Sequence, residues 1–175
     1  MRRKLAPAVF HLYQKGKLPA LLQIVGFSKD ALGSEQFQAM VQEIIAVGPN
    51  SLTKDIVQFS RSFVYQQGLF EKKEGYKNLA EFLGYKDKEW RVCSNKLFYI
   101  AASPHRYRII LKNLAASGLT KPCSPEEGWT RVIVEKPFGK DLKTAQELDR
   151  LLGNLFKEEQ IYRVDHYLGK ETVQN

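Results

Sequence analysis

Helical and extended patterns of apolar residues alternate along the whole chain, which is the mark of a mostly parallel sheet covered by helices. Leu5, Val9, Leu12 and Tyr13 recur at helical spacing within residues 3–14, and Gly16 follows as a C-terminal cap. Residues 22–27, apolar apart from Gln23 and Gly26, predict a buried strand. Ser34 is positioned to cap a second helix carrying Phe37, Met40, Val41, Ile44 and Ile45 on one face and ending at Gly48. Strands are predicted over 59–66, 96–102, 131–135 and 160–164, and helices over 75–83, 104–116 and 142–156. Pro104 opens its helix where the missing N–H costs no hydrogen bond. The fold class is therefore α/β, a doubly wound (Rossmann-type) mostly parallel sheet.

One departure changes this picture. A doubly wound nucleotide-binding fold starts with a strand, a glycine-rich turn and then a helix, whereas this chain starts at the helix. The first strand of such a sheet lies between the second and fourth, and its turn presents backbone N–H groups to a pyrophosphate. Its loss leaves two neighbouring strands with open edges. The sequence is accordingly read as one partial domain, residues 1–175, truncated at both ends.

Composition narrows the function classes. The chain has 175 residues, 43% of them apolar, enough for a substantial core. Its net charge of +8 is spread over lysines and arginines interleaved with acids, without the continuous stripe of a nucleic-acid interface. No apolar run reaches membrane-spanning length, and the basic start is followed by too short an apolar stretch for a signal peptide. No nucleic acid, no membrane and a cytoplasmic location are expected. Cys93 and Cys123 have neither CxxC spacing nor histidine partners, so reduced thiols and no metal site are expected.

Candidate chemistry concentrates at the end of the chain. Asp165, His166, Tyr167 and Lys170 place a carboxylate, an imidazole, a phenol and an ammonium within six positions after a predicted strand. Cationic and hydroxyl donors suit phosphate oxygens, and a carboxylate beside an imidazole suits proton transfer. Lys136 follows the strand over 131–135 and precedes Pro137, at the carboxyl end where ligands of parallel sheets bind. Pro137 restricts the Lys136 backbone to extended conformations, which favours fixed positioning.

These residues lie in segments that resemble a known family. IYRVDHYLGKETVQN, residues 161–175, is similar to the substrate-binding signature RIDHYLGKE of glucose-6-phosphate dehydrogenases, with Val164 as the only departure. Residues 135–139, EKPFG, resemble the second signature of that family, and residues 2–7, RRKLAP, resemble the tail of its GxxGDLAxRKLxP start. QIVGFSKDAL (23–32) and NKLFYIAASPHRY (95–107) resemble its second-strand and fourth-strand regions.

The resemblance implies oxidation of D-glucose 6-phosphate at C1 to the 1,5-lactone with NADP as acceptor, the first step of the oxidative pentose phosphate pathway. It implies that His166, Tyr167 and Lys170 grip the sugar phosphate, that Lys136 touches both substrate and cofactor, and that Lys4 points toward the reacting centre on the cofactor side. Asp165 would orient a general-base histidine that these 175 residues do not contain, since neither His11 nor His105 matches it. Little turnover is expected without that base, whose loss costs roughly a hundred- to ten-thousand-fold in rate.

Ser103 and Pro104 fall on the turn that lies along the cofactor. Lys29 stands where the family often carries an arginine for the 2′-phosphate, and Asp30 beside it favours a free ribose hydroxyl, so NAD is left open alongside NADP. Leu69 departs from the aspartate usual after Gly68. Homo-oligomerisation of a full-length protein stays open, as do two other readings. One is a different sugar dehydrogenase with an EKP motif; the other is a non-catalytic domain that binds a partner or a full-length subunit.

Overall fold

The computed structural model describes residues 5–46, 53–124 and 126–164. The chain divides into two units, 1–69 and 70–175. Every described strand pairing is parallel, and helices connect the paired strands, so the α/β class expected from the sequence is what these residues form.

The first unit holds α1 (Leu5–Gln14), β1 (Ile24–Ser28), α2 (Ser34–Ile45), α3 (Lys54–Ser60) and β2 (Phe63–Gln67). β1 and β2 pair from Ile24↔Phe63 to Ser28↔Gln67. Phe37, Val41 and Ile45 repeat every four residues on α2 and bury one stripe against Ala6 and Phe10 of α1, Ile56 and Phe59 of α3, and Phe63 and Tyr65 of β2. Gln38 Nε2 donates to the Phe63 carbonyl at 2.8 Å, and Gln42 Nε2 donates to Ser60 Oγ at 2.8 Å, pinning α2 over this core.

Two sequence expectations change here. Residues 59–66 are not one strand: α3 runs through Ser60, and β2 begins only at Phe63. Nor is Ser34 the cap of α2. The cap is Gly33, whose N–H donates to Gln36 Oε1 at 2.9 Å, while Ser34 Oγ accepts the Tyr65 N–H at 3.1 Å and so ties the helix to β2. Gly16, with φ +62°, terminates α1 as expected.

The second unit holds α4 (Lys73–Trp90), β3 (Lys96–Ile100), α5 (Pro104–Ala116), β4 (Thr130–Glu135), α6 (Leu142–Leu155), one 3₁₀ turn (Glu158–Gln160) and β5 (Ile161–Val164). Its strands run in the order β3, β4, β5, all parallel, in register from Lys96↔Thr130 to Ile100↔Val134 and from Val132↔Ile161 to Glu135↔Val164. β4 alternates buried Thr130, Val132 and Val134 with half-exposed Arg131, Ile133 and Glu135, the period of two that a sheet with one covered face requires. Tyr107, Ile110, Leu111 and Leu114 of α5 and Leu148 and Leu152 of α6 are the buried stripes of their helices. Asp141 caps α6, its Oδ1 accepting the Thr144 N–H at 2.8 Å.

Among the described residues β1 pairs only with β2, and β3 only with β4, so each keeps one edge without a strand partner. The thiol expectation is corrected. Cys93 and Cys123 are joined as a disulfide, with Cα atoms 5.9 Å apart. Their separation of 30 residues carries no spacing signal, so proximity comes only from the parallel pairing of β3 with β4.

Candidate functional site

Parallel strands send all their carboxyl ends to one side of a sheet, and the loops that leave there are where side chains can converge. In the second unit the register Ile100↔Val134 puts the exits of β3 and β4 level. Ser103 and Pro104 follow Ile100, the last paired residue of β3, by three and four residues, and Lys136 leaves β4 directly after Glu135. Three of the sequence-predicted residues therefore share one end of one sheet. Val164, opposite Glu135, is the last described residue of β5. Asp165, His166, Tyr167 and Lys170, which follow it, lie outside the described residues, as does Lys4.

Ser103 is the N-cap residue of α5 and is exposed, with its hydroxyl making no capping bond to the helix. Instead it lies 3.4 Å from His105 Nε2, while the Ser103 carbonyl accepts the Arg106 N–H at 2.8 Å. A helix start with Pro at its first position and a cap hydroxyl that makes no capping bond could receive an anionic group such as a cofactor phosphate. His105 and His11 are both exposed.

Lys136 is exposed, its N–H donates to the Val164 carbonyl at 3.2 Å, and its peptide bond to Pro137 is cis. The loop beyond is packed tightly. A Cβ on Gly139 would stand 2.5 Å from the Ala145 backbone nitrogen and 2.5 Å from Thr144 Oγ1, so only glycine lets residues 136–139 lie against the start of α6.

One contributor was not legible in the sequence. Tyr107, fully buried on α5, reaches the backbone of Glu135, its phenol donating to the carbonyl at 3.2 Å and lying 3.4 Å from the N–H. Burial pushes this phenol's pKa up, and the bond to the Glu135 backbone only partly offsets it, so it stays a donor across the working pH range. The Glu135 carboxylate in turn accepts from the Tyr99 hydroxyl on β3. Both tyrosines fix the residue that precedes Lys136. Tyr107→Phe is expected to cost about 1–2 kcal/mol of stability, the value of a buried hydrogen bond whose partner is left unpaired. Denaturant titration checks this, and an unchanged midpoint would show the phenol to be idle.

Lys29 belongs to the first unit, where it leaves the carboxyl end of β1. It is exposed, its carbonyl accepts Gln67 Nε2 at 3.1 Å, and Ser28 Oγ stands 3.5 Å from Asp30 Oδ2. Lys29 and Asp30 are thus both exposed at the exit of β1. Leu69, in place of an aspartate, is exposed. Among the described residues, no group of three or more His, Cys, Asp or Glu side chains is arranged to hold a metal ion, and no helix is long and apolar enough to cross a membrane.

The family model described as glucose-6-phosphate dehydrogenase, NAD binding domain, matches residues 1–175. A glucose-6-phosphate 1-dehydrogenase of Schizosaccharomyces pombe is 38% identical over 176 residues, which is 99% of this chain and 34% of that protein. Its Bacillus subtilis counterpart is 34% identical over 174 residues, again 99% of this chain and 34% of that protein. Among solved structures, a glucose-6-phosphate dehydrogenase in complex with its substrate glucose-6-phosphate superposes with TM-score 0.85 at 34% identity, over 99% of this chain and 35% of that one. The crystal structure of a glucose-6-phosphate 1-dehydrogenase from Mycobacterium avium gives 0.76 at 29% identity, with the same coverage. The chain thus spans about a third of the length of the curated relatives it matches. With every residue inside the family model and the strands parallel in both units, the chain belongs to the glucose-6-phosphate dehydrogenase family, matching its NAD-binding domain.

Proposed function

We propose that this chain carries the nicotinamide-cofactor side and the sugar-phosphate grip of a dehydrogenase that oxidises D-glucose 6-phosphate at C1 to the 1,5-lactone, with NADP as acceptor. The observation that carries this is the level exit of β3 and β4, which brings Ser103, Pro104 and Lys136 to one sheet end in a chain matched throughout by the family model. The cofactor, when bound, supplies the hydride acceptor.

Lys136 would offer an ammonium to substrate and cofactor from a strand exit whose preceding residue, Glu135, is bonded by Tyr107. His166, Tyr167 and Lys170 supply donors for the phosphate oxygens, and Asp165 would hold a base histidine in the orientation that takes the C1 hydroxyl proton. On the cofactor, Lys29 provides a point charge for the 2′-phosphate. Asp30 opposes it, so NAD is accepted as a second acceptor.

A calorimetric titration of the purified protein with glucose 6-phosphate and with glucose tests the reading. The phosphorylated sugar is expected to bind at least about tenfold more tightly, and Lys170→Ala or Lys136→Ala is expected to weaken it about ten- to hundredfold, the worth of a hydrogen bond to a charged group. Equal affinity for the two sugars would sink the assignment and favour a dehydrogenase of unphosphorylated sugars.

A further inference from the structure

The bond between Cys93 and Cys123 plays no part in the site, yet its surroundings suit more than a fixed crosslink. Cys93 lies between α4 and β3 and is half-buried; Cys123 lies between α5 and β4 and is exposed. Their Cα separation of 5.9 Å is in the common range for a disulfide. Cys93 Sγ also stands 3.0 Å from the Glu127 carbonyl oxygen, so a thiol there has an acceptor ready and is not left unsatisfied.

The backbone around the pair also carries hydrogen bonds of its own. The Trp129 N–H donates to Asn95 Oδ1 at 3.0 Å, the Lys96 N–H donates to the Trp129 carbonyl at 2.8 Å, and the β3–β4 register begins at once with Lys96↔Thr130. Gly128, at φ +75°, brings its backbone so close to Cys93 that a Cβ would stand 2.7 Å from the Cys93 oxygen and 2.9 Å from its sulfur. These bonds hold the backbone alongside the disulfide, and Cys123 is the exposed member of the pair.

We propose that Cys93 and Cys123 form a reversible thiol–disulfide couple that a dithiol reductant enters through the Cys123 sulfur. A reductant thiolate attacks Cys123 Sγ, the S–S bond breaks, and its electron pair leaves on the Cys93 sulfur, which takes a proton. The reductant's second thiolate then displaces Cys123, which is protonated in turn. The protein gains two electrons and two protons, and the reductant leaves as its own disulfide. The bond closes a span of 30 residues containing all of β3 and α5, so oxidation restricts the denatured chain and stabilises the folded one. The exits carrying Ser103, Pro104 and Lys136 are at the far end of the strands, about 15 Å away. Redox state should therefore move stability and leave ligand affinity there within about twofold.

The purified protein is compared after diamide oxidation, after dithiothreitol, and after reoxidation. Alkylation and mass should count no thiol, then two, then none, with the melting temperature falling by about 5–10 °C on reduction and returning on reoxidation. Brief exposure of the oxidised form to glutathione, acid quench and peptide mapping should place the adduct on Cys123. The Cys93→Ser, Cys123→Ser double variant should melt like the reduced form. Two alkylatable thiols after diamide, equal melting temperatures for the two forms, or an adduct on Cys93 would each overturn the proposal; the dithiothreitol comparison stands even where the double variant folds poorly.

Discussion

Asp87→Ala is expected to destabilise the protein by about 3–4 kcal/mol, because it strips the only carboxylate bonded to a nearly buried ammonium among the described contacts. Asp87, near the end of α4, accepts from Lys96 Nζ at 2.7 Å through Oδ2, and from the Ser94 N–H at 3.2 Å and the Ser94 hydroxyl through Oδ1. The two charged side chains are only 14% and 10% exposed, so solvent screens the pair weakly. Lys96 opens β3, and this cluster is what joins the end of α4 to the start of that strand. With alanine at 87, Lys96 keeps bonds to the Ser94 carbonyl and hydroxyl at 3.2 and 3.3 Å, but its charge is uncompensated. For a chain of this size the melting temperature should fall by roughly 10 °C. A fall of under about 2 °C would show that the pair contributes no more than an exposed one does.

The same cluster sets a pH signature. Burial would raise the Asp87 carboxyl, but the hydrogen bonds from Lys96 and Ser94 outweigh it and hold its pKa below the ordinary 3.8. A carboxyl depressed in the folded state contributes stability that is fully present above its unfolded pKa and is lost as pH falls through the lower folded value. The stability gap between the native protein and Asp87→Ala is therefore expected to stay level above about pH 5 and to close below about pH 4.

The sequence shows most clearly what local periodicity controls. The helix opening at Pro104 ends at Ala116 as its pattern predicts, and β4 starts one residue earlier than predicted and ends on Glu135. Lys136, Ser103 and Pro104 could be placed at strand exits because parallel strands with helical crossovers leave few alternatives. What stayed hidden depends on distant partners. The helix over 75–83 extends to Trp90 because Arg91, in a left-handed conformation with φ 55°, closes it after a charged last turn that includes Asp87. Neither the Asp87 cluster nor the Tyr107 bond to Glu135 has a motif. The cysteine pairing overturns the expectation of reduced thiols, since spacing says nothing of two loops brought together by strand pairing. The strand over 59–66 failed because Phe59 and Phe63, one helical turn apart, fit either period within so short a run.

Phe59 is also the position where the largest loss from core truncation is expected. It is 2% exposed on α3, and its ring centroid lies 5.3 Å from Phe10, 5.2 Å from Tyr13 and 5.2 Å from Phe63. The Phe63 ring continues this cluster to Phe37 at 6.0 Å, and Phe37 reaches Tyr65 at 5.4 Å. One ring thus touches aromatic side chains of both α1 and β2, in the tilted and edge-on geometries that aromatic quadrupoles favour. Phe59→Ala removes the shared contact and leaves a cavity that three separate elements would have to move to fill, which is costly in a close-packed interior. The expected loss is about 3–5 kcal/mol. Phe59→Leu keeps most of the volume and should cost less than half as much, so the ratio of the two denaturant midpoint shifts measures filling against ring geometry. Because β1 and β2 rest on this cluster and Lys29 directly follows β1, the alanine variant should also bind the nicotinamide cofactor of the proposed function more weakly at temperatures well below its own melting point. Unaltered cofactor affinity alongside the full stability loss would show that the exit of β1 is held by its own bonds, from Gln67 to the Lys29 carbonyl and from the Gly68 N–H to the Ser28 carbonyl, rather than by the core beneath it.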